Sequence, residues 1–340
     1  MTRRTQTQLL IAFCFALHMT GLLRTSTTFA ADGAHVVTYY GYDDCIQLKN
    51  DHVSVVLCPA AGGRVLEYAL DGKNVLYLPD GDEGWKYSKP GDRGNMTAGR
   101  FDIGPEKVVK RGPLLWMGRW KGEITGDRTA RLISQKDPAS GVQLIREFEL
   151  AKNSSHLICA QTIHNVSDSA VSLCHWSRTF AVGDGIAVVP RSPLGRFPNG
   201  YVMYSDGANI GIRPEDPNID VTDSDVVINA APRFPKLGFD SMTGWLAYAA
   251  PTDQLFVKRF LTYPDRAYNE VAGLTISVWY PKDRGMVELE PIGPAANLKP
   301  GEKESFAEEW WLVDYEFPKS GKLNMEMLRE TVQQSTRPPE

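Results

Sequence analysis

The chain has 340 residues, 37 basic and 41 acidic side chains and a formal net charge of −4 at pH 7. Hydrophobic residues make up 42% and charged residues 23%, which is typical of a soluble globular protein with a sizeable core in one large domain or two ordinary ones. This balance argues against a basic surface for nucleic acid.

The N-terminus has the features of an export signal. A basic start at Arg3 and Arg4 precedes the mostly apolar run Leu9–Leu23, and Thr28–Ala30 offers small residues at the two positions that a signal peptidase reads. The run is shorter than the roughly 20 residues that a membrane span needs, although an uncleaved anchor is the alternative. We predict a signal peptide over residues 1–30, a secreted or periplasmic protein, and no stable membrane insertion after cleavage.

Most of the remaining chain consists of short segments that alternate apolar and polar residues between turn signals, a pattern typical of β-strands. The predicted strands are Val53–Leu57, Gly63–Leu70, Thr129–Ser134, Val142–Leu150, His156–Asn165, Ala170–Phe180, Gly244–Ala249, Leu255–Phe260, Gly273–Tyr280, Val287–Glu290 and Phe306–Val313. Residues 184–236, rich in Pro, Gly, Asp and Asn, are predicted to form long loops and short strands.

Helical spacing occurs only near the C-terminus, at Leu323, Met327, Leu328 and Val332. The sequence therefore predicts a mostly β protein. We expect one large antiparallel β-sandwich domain over residues 31–335 with a short C-terminal helix, and a flexible tail over residues 336–340.

Five cysteines are present, of which one lies in the predicted signal. The other four are Cys45, Cys58, Cys159 and Cys174. Three pairings are open in an oxidising compartment, and so are free buried thiols. Cys159 and Cys174 flank a predicted tight turn and could be neighbours across a hairpin. No zinc-type spacing is present, so no metal is predicted.

Two carboxylates lie on the predicted strand Val287–Glu290. Because side chains alternate in an extended chain, Glu288 and Glu290 point to one face, roughly 7 Å apart, and Val287 and Leu289 to the other. A loop rich in Pro and Gly is predicted to follow. The acidic face either lines a groove that binds hydroxyl groups or is a solvated outer face, and the spacing alone favours the second interpretation.

A histidine lies on the strand after the predicted turn at Ser167–Asp168. His175 shares a face with Val171 and Leu173, which predicts that it points inward. An inward histidine is more often a hydrogen-bonded core residue than a functional one.

Several short motifs occur in a characteristic order. They are Gly62-Gly63-Arg64, Asp71-Gly72-Lys73, Asn165 with Ser167-Asp168, His175-Trp176, Leu289-Glu290-Pro291, Asn297 and Leu298-Lys299-Pro300-Gly301-Glu302. Together they resemble the galactose mutarotase-like superfamily, which includes the aldose 1-epimerases. The likeness covers about residues 44–315 and is greater to an uncharacterised secreted branch than to standard mutarotases.

The resemblance implies a β-sandwich with a sugar site on the concave face of one sheet. It also implies that His175 is the general acid on the ring oxygen and Glu290 the base on the anomeric hydroxyl. Opening a hemiacetal ring needs one proton added and one removed, which these groups can do without a cofactor. The chain departs from the family in having no histidine within Leu114–Trp120 and in having Ile292 where Gln is common.

Four further residues are candidates for substrate binding. Arg100 lies near the family's substrate-holding arginine, although a surface pair with Asp102 is the alternative. Arg178 could hold the carboxylate of a uronic sugar, Trp176 could stack on a sugar ring, and Glu288 lies beside the proposed base.

Three functions remain open from the sequence. The first is an aldose 1-epimerase-like isomerase, and the second is a protein that binds a mono- or oligosaccharide without catalysis. The third, a glycosidase or polysaccharide lyase, has less support, because Glu288 and Glu290 are adjacent on one strand whereas a glycosidase needs carboxylates on two sides of the bond. A lyase would have to use His175 and Arg178.

Overall fold

The computed structural model describes residues 31–89, 97–110, 112–205 and 209–336. The predicted signal peptide lies outside these residues, and so does the predicted tail except Thr336. The chain from Ala31 onward forms one compact unit built from two antiparallel sheets. No helix in the described part of the chain is long and apolar enough to cross a membrane.

The first sheet contains twelve strands. They are β1 (Ala34–Tyr39), β2 (Tyr42–Lys49), β3 (Val53–Cys58), β4 (Arg64–Leu70), β5 (Lys73–Asn74), β6 (Gly99–Gly104), β11 (Val171–Val182), β13 (Val202–Tyr204), β14 (Ile210–Gly211), β17 (Lys236–Phe239), β20 (Ile276–Trp279) and β21 (Met286–Leu298). Their spatial order is β1-β2-β3-β4-β6-β11-β21-β20-β17-β13-β14, with β5 beside β4.

The second sheet contains ten strands. They are β7 (Lys121–Gly126), β8 (Thr129–Ile133), β9 (Val142–Leu150), β10 (Leu157–Asn165), β12 (Ile186–Pro190), β15 (Ile219–Val221), β16 (Asp225–Ile228), β18 (Trp245–Ala250), β19 (Gln254–Phe260) and β22 (Lys303–Asp314). Their spatial order is β15-β16-β12-β18-β19-β22-β10-β9-β8-β7. A one-turn helix, α1 (Pro113–Trp116), a 3-10 turn (Val271–Gly273) and a C-terminal helix, α2 (Met325–Ser335), complete the elements.

The predicted antiparallel sandwich is confirmed, and its turns follow from local chemistry. In the β8–β9 connection, the Asp137 carboxylate accepts the Ser140 backbone N–H at 2.9 Å, and Gly141 has a φ of 74°. An Asx-type hydrogen bond and a glycine with positive φ are what this turn requires.

Helix α2 confirms the predicted C-terminal helix. The Asn324 side chain caps its N-terminus by accepting the Met327 backbone N–H at 3.1 Å. Leu328 and Val332 are buried in a cluster with residues of β12, β18 and β19 on the face of the second sheet that is turned away from the first. Thr336, predicted to begin a flexible tail, is buried and accepts a 2.7 Å hydrogen bond from Arg259.

The predicted loop after Glu290 is wrong, because β21 continues through it to Leu298. Two residues of β21 oppose one of β11 here: Cys174 pairs with Ala295, and Trp176 pairs with Ile292. This is a β-bulge, a position where a strand tolerates proline. Pro294 falls within it, so the Pro/Gly content that indicated a loop marks an irregular strand.

The interior between the sheets holds a buried ion pair. Lys258 on β19 lies 2.9 Å from the Glu308 carboxylate on β22, and both side chains are fully buried. The Lys258 ammonium also donates to the Ser177 and Thr179 hydroxyls and to the Leu289 carbonyl of the first sheet, at 3.0 to 3.2 Å. These contacts identify the face of β11 and β21 that is turned toward the second sheet, which we call the inner face.

Candidate functional site

The central strands β6, β11 and β21 bring charged residues from three parts of the chain onto one face. Arg178 lies opposite Arg100, Trp176 opposite Asp102, and Phe180 opposite Glu288. Because side chains alternate along a strand, these residues point away from the second sheet, to the outer face. We call the charged and aromatic residues at this place the outer-face cluster: Arg100, Asp102, Trp176, Arg178, Glu288 and Glu290.

Arg178 is the centre of the outer-face cluster. Its guanidinium lies 2.9 Å from the Glu106 carboxylate, 3.7 Å from that of Asp102 and 3.9 Å from that of Glu288. It also lies over the Trp176 ring, 4.6 Å from the centroid. Burial alone would lower the pKa of Arg178, but the surrounding carboxylates raise it above its usual value.

The side chains of Glu288 and Glu290 hydrogen-bond to each other and are 3% and 1% exposed. Burial and the neighbouring charge of Glu290 raise the pKa of Glu288 well above its usual value. Burial would also raise the pKa of Glu290, but Arg178 and the hydrogen bond from Glu288 lower it. Glu288 therefore ionises at a higher pH than Glu290, so the pair offers a proton donor and a proton acceptor side by side.

The Glu290 carboxylate is held in place by a neighbour on β11. The Trp176 indole N–H donates to it at 2.5 Å. The predicted face of Glu288 and Glu290, opposite Val287 and Leu289, is confirmed. The solvated interpretation of that face is wrong, because both carboxyl groups are buried.

Arg100 is fully buried, so the surface pair with Asp102 is excluded. Its guanidinium lies over two aromatic rings, 4.2 Å from the centroid of Trp116 and 5.7 Å from that of Phe180. None of its three guanidinium nitrogens hydrogen-bonds to a residue that the structure describes. Burial and the nearby Arg178 lower the pKa of Arg100 well below its usual value.

Glu106, Lys236 and Tyr204 border the cluster and were not among the predicted site residues. Lys236 forms an ion pair with Glu106 and lies 5.1 Å from the Trp176 ring centroid and 5.2 Å from that of Tyr204. Burial would raise the pKa of Glu106, but Lys236 and Arg178 lower it to about 2. These three residues come from separate segments with no motif, so only the strand pairing could have found them.

His175 lies on the inner face, as its predicted orientation implies. Its Nε2 is 3.0 Å from the Glu304 carbonyl of β22, and its ring stacks on Phe101 with centroids 5.6 Å apart. It is 1% exposed, and burial lowers its pKa to about 4.

The expectation that His175 and Glu290 act together at one sugar site is therefore wrong. Trp176 contacts Glu290, and its neighbour in the strand must point the other way. Of the predicted site residues, the structure brings together Arg100, Trp176, Arg178, Glu288 and Glu290 and leaves His175 on the opposite face. In the described part of the chain, no three His, Cys, Asp or Glu residues are grouped so as to hold a metal ion.

Comparison with known proteins finds no matching family model and no matching curated protein. Solved structures do match. A putative aldose 1-epimerase from Escherichia coli K12 has a TM-score of 0.54 and 11% identity over 79% of this chain and 98% of that chain. A galactose mutarotase-like protein from Clostridium acetobutylicum has a TM-score of 0.55 and 11% identity over 84% and 99%.

A second galactose mutarotase-like protein, from Lactobacillus casei, has a TM-score of 0.55 and 9% identity over 79% of this chain and 100% of that chain. The fold is galactose mutarotase-like. Because all these identities are low, the likeness establishes the arrangement of the two sheets and not the chemistry of the site. The mutarotase-like fold nevertheless agrees with the resemblance seen in the sequence motifs.

Proposed function

We propose that this protein is exported and acts on a sugar at the outer-face cluster, by aldose 1-epimerase-type ring opening and closure. The observation that supports this most directly is the contact between the buried Glu288 and Glu290 side chains, whose pKa values are shifted in opposite directions. Two adjacent carboxyl groups whose pKa values are driven apart form an acid and a base in one place.

Ring opening would use the two groups in opposite senses. Glu290 takes the proton from the anomeric hydroxyl as the carbonyl forms, and Glu288 gives its proton to the ring oxygen as the C–O bond breaks. Rotation about the bond next to the aldehyde exposes its other face. The ring oxygen then attacks that face and both protons return, which gives the other anomer.

The remaining cluster residues suit the binding of hydroxyl groups. The Arg100 nitrogens are donors without a partner among the described residues, and Trp176 fixes the position of the proposed base. Lys236 and Glu106 have side chains that are each 19% exposed, more than those of Arg178 and Glu288. We therefore expect the sugar to enter past this ion pair. His175, which contacts the second sheet, has no part in the proposal.

Anomer exchange tests the proposal. Purified protein should accelerate exchange of at least one aldose or uronic acid, followed by polarimetry or NMR. The Glu290→Gln variant should lose about 100-fold or more of that activity. His175→Gln is the matched control, because it alters a buried polar residue of the other face, and it should keep its rate within a few-fold.

Two results would contradict this assignment. No acceleration with any common aldose or uronic acid would remove the enzymatic function. Loss of activity in a folded His175→Gln variant, with full activity in Glu290→Gln, would move the chemistry to the inner face. Circular dichroism of each variant separates these results from unfolding.

A sugar-binding protein without catalysis is the second candidate. It is favoured because the histidine that the family uses as its acid lies in the interior here. Such a protein would bind a sugar, detected through intrinsic tryptophan fluorescence or calorimetry, with no effect on anomer exchange. Glu290→Gln would then keep most of the affinity.

A glycosidase is less well supported, because carboxyl groups in contact leave no room for a glycosidic bond between them.

The proposed export rests on the basic start and the apolar run before residue 31. Mass spectrometry of the protein recovered after expression of the full chain tests it. The expected N-terminus lies near Ala31, and an intact N-terminus with the protein retained in the cytoplasm would contradict it.

A further inference from the structure

Cys45 and Cys58 lie opposite each other on neighbouring strands of the first sheet. Ile46 of β2 pairs with Leu57 of β3 in antiparallel register, and the next step of this register brings Cys45 opposite Cys58. Directly opposite residues in an antiparallel pair have Cα atoms about 4.5 or 5.5 Å apart. Both spacings fall in the range of about 4.4–6.8 Å that disulfides span.

The two thiols are also in direct contact. Both side chains are fully buried in one small cluster, with Tyr42, Val56 and Leu66 among its members, and the thiols hydrogen-bond to each other. We propose that Cys45 and Cys58, which are free thiols in the structure, form an intrachain disulfide when the chain reaches an oxidising compartment.

The other two cysteines cannot form such a pair. Cys159 lies on β10 of the second sheet, in the core between the sheets, whereas Cys174 lies on the first sheet in a cluster with Trp176 and Ile292 on the outer face. The strands β10 and β11 belong to different sheets, so the predicted hairpin neighbours are separated. Of the pairings open from the sequence, only Cys45–Cys58 has its two thiols in contact.

The environment indicates which thiol reacts first. The hydrogen bond from Cys45, the backbone N–H groups of Ala61 and Ala60 and the charge of Arg64 lower the pKa of Cys58, against the effect of burial. The same hydrogen bond and burial raise the pKa of Cys45 above its usual value. Cys58 is therefore the more acidic of the two thiols and the one that more readily forms the thiolate, the nucleophilic form.

The oxidant is a disulfide, either of a thiol–disulfide oxidoreductase or of a small molecule such as oxidised glutathione. The Cys58 thiolate attacks one oxidant sulfur and releases the other as a thiol, leaving a mixed disulfide. Cys45 then loses its proton and attacks the Cys58 sulfur, which releases the second thiol. Two electrons and two protons pass to the oxidant. The bond forms once β2 and β3 have paired and the thiols are neighbours, before the rest of the chain folds over them and excludes the oxidant.

Peptide mapping of the full chain tests the proposal. The protein is refolded with oxidised glutathione, denatured without reductant, alkylated, digested and examined by mass spectrometry. The expected product is a cross-linked peptide pair carrying Cys45 and Cys58, lighter by two hydrogen atoms than the reduced peptides. Protein refolded with a reductant in place of oxidised glutathione should have a Tm lower by about 5 °C, because its unfolded chain lacks the cross-link.

A Cys159→Ala/Cys174→Ala double variant is the matched control and should keep both the cross-linked peptides and the redox-dependent Tm shift. Cys58→Ser should lose both. The proposal is overturned if Cys45 and Cys58 are both alkylated after oxidative refolding, or if the cross-linked peptides contain Cys159 or Cys174. The proposal rests on the proposed export, which brings the chain to an oxidising compartment, but not on the proposed sugar chemistry. Failure of the anomer-exchange assay therefore leaves it standing, and failure of the peptide mapping leaves the sugar chemistry standing.

Discussion

The inner and outer faces of β11 and β21 both bury charged groups, but the two sets of groups differ in how completely they are hydrogen-bonded. On the inner face, the Lys258 ammonium contacts the Glu308 carboxylate, two hydroxyls and a carbonyl, all within 3.2 Å. Glu308 also accepts hydrogen bonds from Gln161 at 2.9 Å and Trp310 at 3.0 Å. Every donor of this ammonium is in use.

On the outer face, several strong hydrogen-bonding groups are left over. Two of the three contacts of Arg178 with carboxylates are 3.7 and 3.9 Å long. Glu288 Oε1 and the Arg100 guanidinium have no hydrogen-bond partner among the described residues. Buried polar groups are normally satisfied. The Lys258–Glu308 pair meets that condition, although His175 Nδ1 and Gln161 Oε1 beside it do not, whereas the outer cluster leaves a whole guanidinium, that of Arg100, which a hydroxylated ligand can use.

The largest expected effect is on the inner face. Lys258→Met leaves the Glu308 carboxylate buried without its counter-charge, which should lower the free energy of unfolding by about 3–5 kcal/mol. Urea denaturation measures it. In a Lys258→Met/Glu308→Leu variant no charge is left unpaired, so most of the loss should be recovered. If the free energy of unfolding of Lys258→Met lies within ~1 kcal/mol of the parent's, the inner pair is not structural.

His175, which also lies on the inner face, should make the free energy of unfolding depend on pH. Its pKa is about 4 in the folded protein, against about 6.5 when unfolded. Between these values the unfolded chain binds a proton that the folded chain does not, so the free energy of unfolding falls as pH falls from about 6.5 to about 4. The total loss should be about 3 kcal/mol, with no contribution above that range.

Urea denaturation at a series of pH values measures this loss. Because carboxylates also titrate in this range, the His175→Phe variant supplies the reference, since a phenyl ring preserves stacking on Phe101 without titrating. Superimposable pH slopes for parent and variant would show that the imidazole is not held neutral in the interior.

The sequence predicted the sandwich because each strand buries one face, so that apolar residues recur at every second position. Val142–Leu150 has its predicted bounds, and most other predicted strands differ by a few residues. The prediction from sequence failed at Pro294, because the bulge that accommodates this proline depends on how β21 pairs with its partner strand. It also failed for Cys159 and Cys174, since residue spacing does not show that a turn carries the chain from one sheet to the other.

The site was half predictable for a related reason. Alternation predicted that His175 shares a face with Leu173, and that Glu290 opposes Leu289. What it could not show is that β11 and β21 are neighbours in one sheet, with Leu173 and Leu289 both on the inner face. Once that pairing is known, His175 and Glu290 must point apart. Glu106 and Lys236 join the cluster through folding alone.

The smallest expected effect is a stability change on the outer face. Glu290→Gln keeps an acceptor for the Trp176 indole and removes a negative charge beside Glu288. Arg178 keeps Asp102 and Glu106 as counter-charges, and Glu288 becomes free to ionise. No buried charge is left unpaired, so the free energy of unfolding should change by about 1 kcal/mol or less. A loss as large as that of Lys258→Met, measured in the same urea series, would mean that both faces bury charge for structure and would remove the physical distinction on which the outer-face site rests.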